Sequence, residues 1–471
     1  MILTETGIRF KDYEKKIQEI SFEIGRSMLR SALEECDAEL SRSRDKSVYI
    51  HKGKRKTVIK TILGEVEYER VLYEVRIDGQ AVERVYLLDE TMGFHGKGKF
   101  SELMRDMIVE SCCEGTYRNA AHAVSELTGQ SISHTSAWNV VQSVGKEVGE
   151  NEETSAKAAK KGKGTGAIEA ALLFEEQDGI YLKLQGKDRK NHGVNKEMKV
   201  GIAYDGAIKT GKGRYELSNK VACANFESAR KFVSRKEGVI AEVYNVDEIT
   251  MRFLNGDGAS WIRRSQTDET VHFQLSQFHR NKAVTQHVSD HESRNRIMKL
   301  LHSKDIELLL HVIEAEAHST DDEDEREHYM ELLKYFEHNK DGLVPCHRRG
   351  LELPEPPVGK EYRSMGAMES NIFTIIGNRM KGRRACWSIE GGNNLARLLC
   401  LKHTKRLAET LGKLSSYALP ERYSEEMLVK TSAADIAETV GKGYNGFKQM
   451  LIPSGIKWLK DIARVSPVYS F

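Results

Sequence analysis

Paired cysteines are missing. The seven thiols, Cys36, Cys112, Cys113, Cys223, Cys346, Cys386 and Cys400, are odd in number and show no CxxC spacing. That excludes a disulfide framework and a zinc ribbon and leaves them as buried or inert groups. No apolar run approaches the length of a membrane span. The opening stretch MILTETGIRFKDYEKK has no apolar core of the kind a signal peptide carries. A cytosolic protein without a membrane partner is expected. A charge excess of one sign is absent as well, since 72 Lys and Arg face 70 Asp and Glu for a net +2. The charges are instead segregated: basic clusters at Lys157–Lys163, Lys381–Arg384 and Lys402–Arg406 contrast with an acidic run at Asp321–Glu327. Such a layout suits local contacts with a polyanion. What is present is a chain of 471 residues, 39% hydrophobic and 30% charged, which is too long for one ordinary core.

From Lys11 to Leu40, Ile17, Ile20, Ile24, Met28, Leu29 and Leu33 recur at helical spacing and predict one long amphipathic helix. Between Val48 and Leu88 the pattern turns to short alternating runs punctuated by Gly64 and Asp78-Gly79, which predicts a small antiparallel meander. Its basic residues Lys52, Lys54, Arg55, Lys56, Arg70 and Arg76 read mainly as a solvated face. Three helical pieces follow between Ser101 and Val148. The second and third, separated by Thr128-Gly129-Gln130-Ser131, have the spacing of a helix-turn-helix. A helix opening at Ser133 with His134, Thr135 and Asn139 in its first turns would then face a DNA groove, and a plain helical bundle fits the same pattern. The hydrophilic stretch Gly149–Gly166 predicts a linker.

Beyond it the chain becomes αβ. Asp178-Gly179 opens the expected strand IYLKLQ, EMKVGIAYDG reads as a second and RYELSNKVACANF as a third. A helix from Phe226 to about Tyr244, a strand ending in LNGDG at Asp257, and a strand VHFQLSQFH up to His279 complete the set. Three consecutive strands, then helix, strand, helix and strand, is the order of an RNase H-like core. A charged helical tract to about Lys340, a loop with Pro345, Pro354, Pro356 and Pro357, and a helix near Met368 come next. The expected architecture is therefore α/β plus α-helical parts. Its divisions are 1–95 (helix and meander), 96–150 (helix-turn-helix), 151–166 (linker), 167–400 (catalytic domain with an insertion at about 281–365) and 401–471 (helical extension).

Transfer of a phosphodiester needs a nucleophilic oxygen, a stabilised leaving oxygen and neutralised phosphate charge, which two hard cations about 4 Å apart supply together. Mg²⁺ takes oxygen ligands, so a few convergent carboxylates suffice. In an RNase H-like order an acid on the first strand lies beside one at the tip of the fourth, and a third comes from a later helix. Asp178, Asp257 and Glu369 occupy those places. Arg379, Lys381, Arg383 and Arg384 follow on the helix of Glu369 as contacts for a DNA backbone. Asp205 in AYDG and Glu390 in WSIEGG are rivals for the first and third acids, and His279 is divided between a core role and the active site. Trp261 and Trp387 read as core aromatics.

Taken together, LLDETMGF near Leu87, DGIYLKLQGKDRK, LNGDGASWIR, FQLSQFHRNK and the ES…NRMKGRRACWS block from Glu369 to Ser388 resemble the ISLre-type insertion-sequence transposases, in a family of uncharacterised proteins distantly related to the Mutator-like group. The resemblance covers nearly the whole chain. It implies a DDE transposase in which Asp178, Asp257 and Glu369 bind Mg²⁺ or Mn²⁺ and catalyse strand cleavage and transfer, with His279 beside them. Double-stranded DNA, as terminal repeats and as target, and further copies of the chain on that DNA are the implied partners. Related groups carry a C/D-x-x-H signature after the second Asp. Here it reads Ser276-Gln277-Phe278-His279, so a serine replaces the acid or thiol. That departure leaves a decayed, DNA-binding regulator open, and a nuclease without strand transfer is the other alternative.

Overall fold

The computed structural model describes residues 9–94, 100–162, 166–382 and 384–414. Arg383 and residues 415–471, and with them most of the expected C-terminal extension, lie outside the described residues. Chain contacts divide the protein into two compact units, one formed by residues up to Val140 together with Leu411 onward, the other by Val141–Thr410.

In the first unit, helix α1 (Phe10–Ser43) packs on a three-stranded antiparallel sheet, β1 (Tyr49–Thr61), β2 (Gly64–Ile77) and β3 (Gln80–Val85), in that order. Leu33 and Cys36 of α1 meet Ile59, Val66 and Tyr68, the inward residues that strand alternation places on one face. The meander's basic residues are largely neutralised: Lys52 pairs with Glu74, Lys56 with Glu67, and Arg70 is buried against Asp89 at 2.9 Å. The third run ends as a strand at Val85, because Leu87–Thr91 turns into the short helix α2.

Helices α3 (Glu102–Glu114) and α4 (Tyr117–Thr128) start at caps that their sequences announce. Ser101 accepts from the Met104 N–H and Thr116 from the Asn119 N–H. Gly129 ends α4 in the left-handed region at φ 65°. Helix α5 runs from His134 to Ala159.

That span corrects the expected linker, since the segment after Gly149 stays helical to Ala159. The composition misled because its Ala, Glu and Lys are strong helix formers whose polar face is supported by the i,i+4 pair Glu153–Lys157. Its other face is not solvated. Glu152 is gripped by Arg397 at 3.1 Å and Arg235 at 3.6 Å, and Gly145 and Gly149, one turn apart, admit Asn394 and Arg397 closely.

The second unit holds a five-stranded mixed sheet. Its members are β4 (Leu172–Lys183), after which comes α6 (Gly186–His192), then β5 (Asn195–Tyr204), a small hairpin β6 (Ala207–Gly211) and β7 (Arg214–Leu217), and β8 (Val221–Asn225). Helix α7 (Ala229–Ala241) leads to β9 (Met251–Gly256), a single turn α8 (Ser260–Arg263) and β10 (Val271–Leu275). The order across the sheet is β10-β9-β4-β5-β8. β4, β5 and β8 run antiparallel in succession, whereas β9 is parallel to β4 and β10 to β9.

Two expected strands differ. The first begins at Leu172, six residues ahead of Asp178, because the apolar run LLF is itself buried strand. Asp178 therefore lies inside β4, paired to Val200, not at its opening. The third splits into β7 and β8 because Ser218-Asn219 turns, with Asn219 at φ 49°.

The insertion is helical as read: α9 (Gln277–His287), α10 (His291–Leu301), α11 (Ile306–Ser319) and α12 (Glu323–His338). Their Ile297, Leu309 and Phe336 share one core with Phe232 of α7 and with Leu254 and Phe273 of the sheet. After an irregular segment, α13 (Met368–Ile372), one π turn at Phe373–Gly377 and α14 (Asn378–Met380) form a continuous helical stretch. α15 (Ile389–His403) and α16 (Leu407–Leu414) end the described chain. Among the described residues no helix is long and apolar enough to cross a membrane. Trp261 and Trp387 are buried, as read.

Candidate metal centre

Strand register alone lines up the site. β4 pairs with β9 through Glu176 opposite Asn255, so two residues further along the parallel strands Asp178 comes level with Asp257. β9 pairs with β10 through Gly256 opposite Leu275, and the next residue, Ser276, donates its backbone N–H to the Gly256 carbonyl at 2.8 Å. Asp178, Asp257 and Ser276 thus form a row across three strands, and His279 stands three residues on, in the first turn of α9. Carboxylate oxygens of Asp178 and Asp257 and a ring nitrogen of His279 all lie within 4.8 Å of one another. All three residues are half-buried.

Glu369, expected as the third acid, is not among the three residues whose ligand atoms lie within 4.8 Å of one another; His279 is. Glu369 stands next to these three, in the first turn of α13, and accepts a hydrogen bond from Ser276 Oγ at 3.3 Å. The serine that departs from the C/D-x-x-H pattern therefore links the row of the sheet to the third acid. Of the rivals, Asp205 is buried and consumed by Lys360 at 2.6 Å and Asn219 at 2.8 Å, and Glu390 is exposed at the start of α15.

The electrostatics are those of clustered acids. Burial raises the Asp178 carboxyl above its ordinary value, and the charges of Asp257 and Glu369 push the same way. The hydrogen bond from the Gly179 N–H and the nearby His279 pull it down. His279 Nδ1 is buried with no hydrogen-bond partner among the described residues. A buried polar atom without a partner is costly, and a divalent cation bound by two carboxylates and an imidazole would satisfy it. The donor set, two hard oxygens and one nitrogen, fits Mg²⁺ and fits Mn²⁺ better, since imidazole is a softer ligand than carboxylate.

Several residues that sequence reading passed over hold the cluster in place. The Glu175-Glu176 pair in LLFEEQD is fully buried, one acid on each face of β4. Glu176 accepts from the N–H groups of Gly366, Ala367 and Met368 at 3.1–3.3 Å, which fixes the start of the helix carrying Glu369 to the strand carrying Asp178. Tyr204 Oη and Asn255 Nδ2 complete its partners, at 2.7 and 2.9 Å. Two acids in an otherwise apolar strand were the available signal, because buried charges require partners.

The turn that presents Asp257 is clamped from the insertion. Tyr335 Oη donates to the Asp257 carbonyl at 2.8 Å, and the Asp257 side chain accepts from the Ala259 N–H at 2.8 Å. Gly258 has φ 87°, and any side chain there would collide with Asn339. Gly258→Ala should accordingly cost about 1–3 kcal/mol in strain at the turn. Its expected readout is weaker Mn²⁺ binding by titration calorimetry, with the helical content of the protein retained.

Of the residues expected to meet DNA, Ser133 caps α5, its Oγ accepting from the Ser136 N–H at 3.0 Å, while His134, Thr135 and Asn139 are exposed in the first unit. Arg379 is half-buried over Trp387, Lys381 lines a cleft together with Asp178, and both Lys381 and Arg384 are exposed. Arg383 lies outside the described residues.

A mixed α/β protein with an Asp-Asp-His cluster built where β9 and β10 end beside the middle of β4 is the class that fold and site define. The chain belongs to an uncharacterised protein family, UPF0236, whose model matches residues 3–409. A UPF0236 protein of Caldanaerobacter subterraneus subsp. tengcongensis is 24% identical over 443 residues, covering 91% of this chain and 87% of its own length; its name joins eleven designations. A UPF0236 protein of Streptococcus gallolyticus, named for the vanSb 3′ region, is 22% identical over 413 residues and covers 84% of each chain.

Proposed function

We propose that this protein is a metal-dependent DNA transposase, which binds the terminal repeats of an insertion sequence and cleaves and transfers its strands. One observation carries the reading: Asp178, Asp257 and His279 converge within 4.8 Å with Glu369 hydrogen-bonded alongside. The strand order β10-β9-β4-β5-β8, with three antiparallel strands followed by two parallel ones, supports an RNase H-like core. The eleven designations in one relative's name are what a gene present in many copies in one strain produces.

Asp178, Asp257 and His279 would hold the cation, whose chemistry when bound is to neutralise phosphate charge and to acidify water. Glu369, oriented by Ser276, keeps one carboxylate oxygen free of that bond to accept the proton of an attacking water or 3′-hydroxyl. Glu176 keeps Glu369 and Asp178 in register during the reaction. Lys381 and Arg384 hold the phosphates that flank the scissile one, fixing the strand without reading its bases.

The test is incubation of the full chain and Mg²⁺ or Mn²⁺ with DNA carrying the sequences that flank its coding region. Metal-dependent nicks whose 3′-ends join a target are expected. Cuts without joining would mean a nuclease, and specific binding with no cuts a regulator.

Recognition of the repeats is assigned to the helix capped by Ser133. Ile132, Ala137 and Val140 bury one face of this segment, leaving His134, Thr135 and Asn139 outward for a groove. Replacing those three by alanine together should weaken repeat binding by roughly 10- to 100-fold in a gel-shift titration, at about 1–3 kcal/mol for a lost base contact. Manganese affinity should not change. Undiminished DNA affinity would return α3–α5 to a structural bundle.

A further inference from the structure

Beside the acid cluster, a cleft of about 640 Å³ runs from Asp178 along Gly179–Tyr181 on one wall and Phe373–Lys381 on the other. Two features of the fold make it. β4 outruns its parallel neighbour: pairing with β9 stops at Glu176 while pairing with β5 continues to Lys183. The β9-side edge past Gln177 therefore has no strand partner among the described residues until Trp387 bridges Leu184. On the opposite wall the π turn at Phe373–Gly377 interrupts the helix of Glu369. Such turns insert one residue and re-aim side chains, and they concentrate at functional sites. Ile375, Ile376 and Met380 are fully buried, whereas Phe373 stands 63% exposed. A phenylalanine left in water beside a carboxylate cluster contributes nothing to the core. Tyr181 across the cleft is 61% exposed.

We propose that this cleft seats one unpaired nucleotide next to the scissile phosphate, its base stacked on Phe373 and its phosphate held by Lys381. The proposal rests on the nucleic-acid reading above and adds that the substrate enters with a base out of the duplex. The volume lies in the range of about 300–1,000 Å³ that encloses a single small molecule. Its chemistry combines an apolar ring face with a cation at one end and a metal-binding acid at the other, which matches a base, a flanking phosphate and a scissile phosphate in sequence. Stacking is indifferent to base identity, so the cleft selects an unpaired state, not a sequence.

The experiment uses the full chain in chelator, so that cleavage plays no part. Short duplexes derived from the flanking DNA, either blunt or with a one-nucleotide overhang carrying 2-aminopurine, are titrated and followed by fluorescence. Quenching of the overhanging base is expected, with preference for overhang over blunt DNA of roughly tenfold, the worth of one stacked base. Phe373→Ala should abolish both the quenching and the preference, and Phe373→Trp should restore them. Lys381→Ala should weaken binding and lower the slope of log affinity against log salt by about one phosphate contact. Equal affinity for the two DNAs, or a Phe373→Ala protein that behaves as wild type, overturns the proposal. So does a Phe373→Ala protein that keeps the preference but changes sedimentation, which would assign Phe373 to an interface between copies. A wild type that cleaves with metal yet shows no overhang preference removes this inference alone, while one that binds neither DNA removes the nucleic-acid reading with it.

Discussion

Asp257→Asn is expected to abolish metal-dependent cleavage while leaving the protein folded and bound to DNA. The substitution preserves size and the carbonyl oxygen that accepts from the Ala259 N–H, so the turn after β9 survives. It removes one negative charge and one strong oxygen donor from a cluster whose ligand atoms lie within 4.8 Å. Supporting residues around a metal are worth about 10- to 100-fold in affinity or activity, and a direct ligand should exceed that. Cleavage should therefore fall by more than about 100-fold, and Mn²⁺ affinity with it. The amide also relieves the repulsion that Asp257 exerts on Asp178, so the Asp178 carboxyl should move back toward its ordinary value. Cleavage at wild-type level would remove Asp257 from the site. A variant that loses DNA binding too would show that Asp257 serves the fold instead.

The second large effect concerns stability. Lys236, on α7, is buried between Glu175 of β4 and Glu237, which it meets at 3.0 Å, and Arg252 of β9 bonds the same two acids at 2.8 and 2.9 Å. Lys236→Met keeps the aliphatic stem and removes the charge, leaving Glu175 with one cation in place of two. Breaking a buried ion pair from one side costs about 3–5 kcal/mol. Lower thermal and denaturant midpoints are the expected result, with DNA-end specificity retained below the transition. A variant as stable as wild type would mean that Arg252 alone suffices.

The same network ties stability to pH. Burial alone would raise the Glu237 carboxyl, but Lys236 and Arg252 overcome it and hold the group down at about 2. A depressed carboxylate stabilises the fold fully above its unfolded value of 4.5, and the contribution is lost as pH falls toward about 2. Lys236→Met should accordingly shift the onset of acid unfolding to higher pH.

Local pattern made much of this protein readable. Apolar spacing located α1, the meander, the helices of the insertion and the core strands of the second unit, because 3.6- and 2-residue periods follow directly from which faces are buried. The abrupt stop of an apolar run at LNGDG placed Asp257 at a strand tip, and strand order brought Asp178 to it. Composition failed at Gly149–Ala159, where a lack of apolar residues and a high Lys, Gly and Ala content read as linker, yet one face of α5 is buried against Asn394 and Arg397, residues about 250 positions away. Spacing in sequence carries no information about such a partner.

Which of these side chains meet was decided in three dimensions. That His279 completes the trio and Glu369 stands one hydrogen bond outside it depends on the register of β10 against β9 and on the tether from Glu176 to the start of α13. Both are relations between segments distant in the chain, set by backbone pairing and by the need of buried charges for partners. Residue type and spacing nominated the acids. Only the packed sheet, which forces neighbouring strands into one register, determined which of them lie within 4.8 Å of one another.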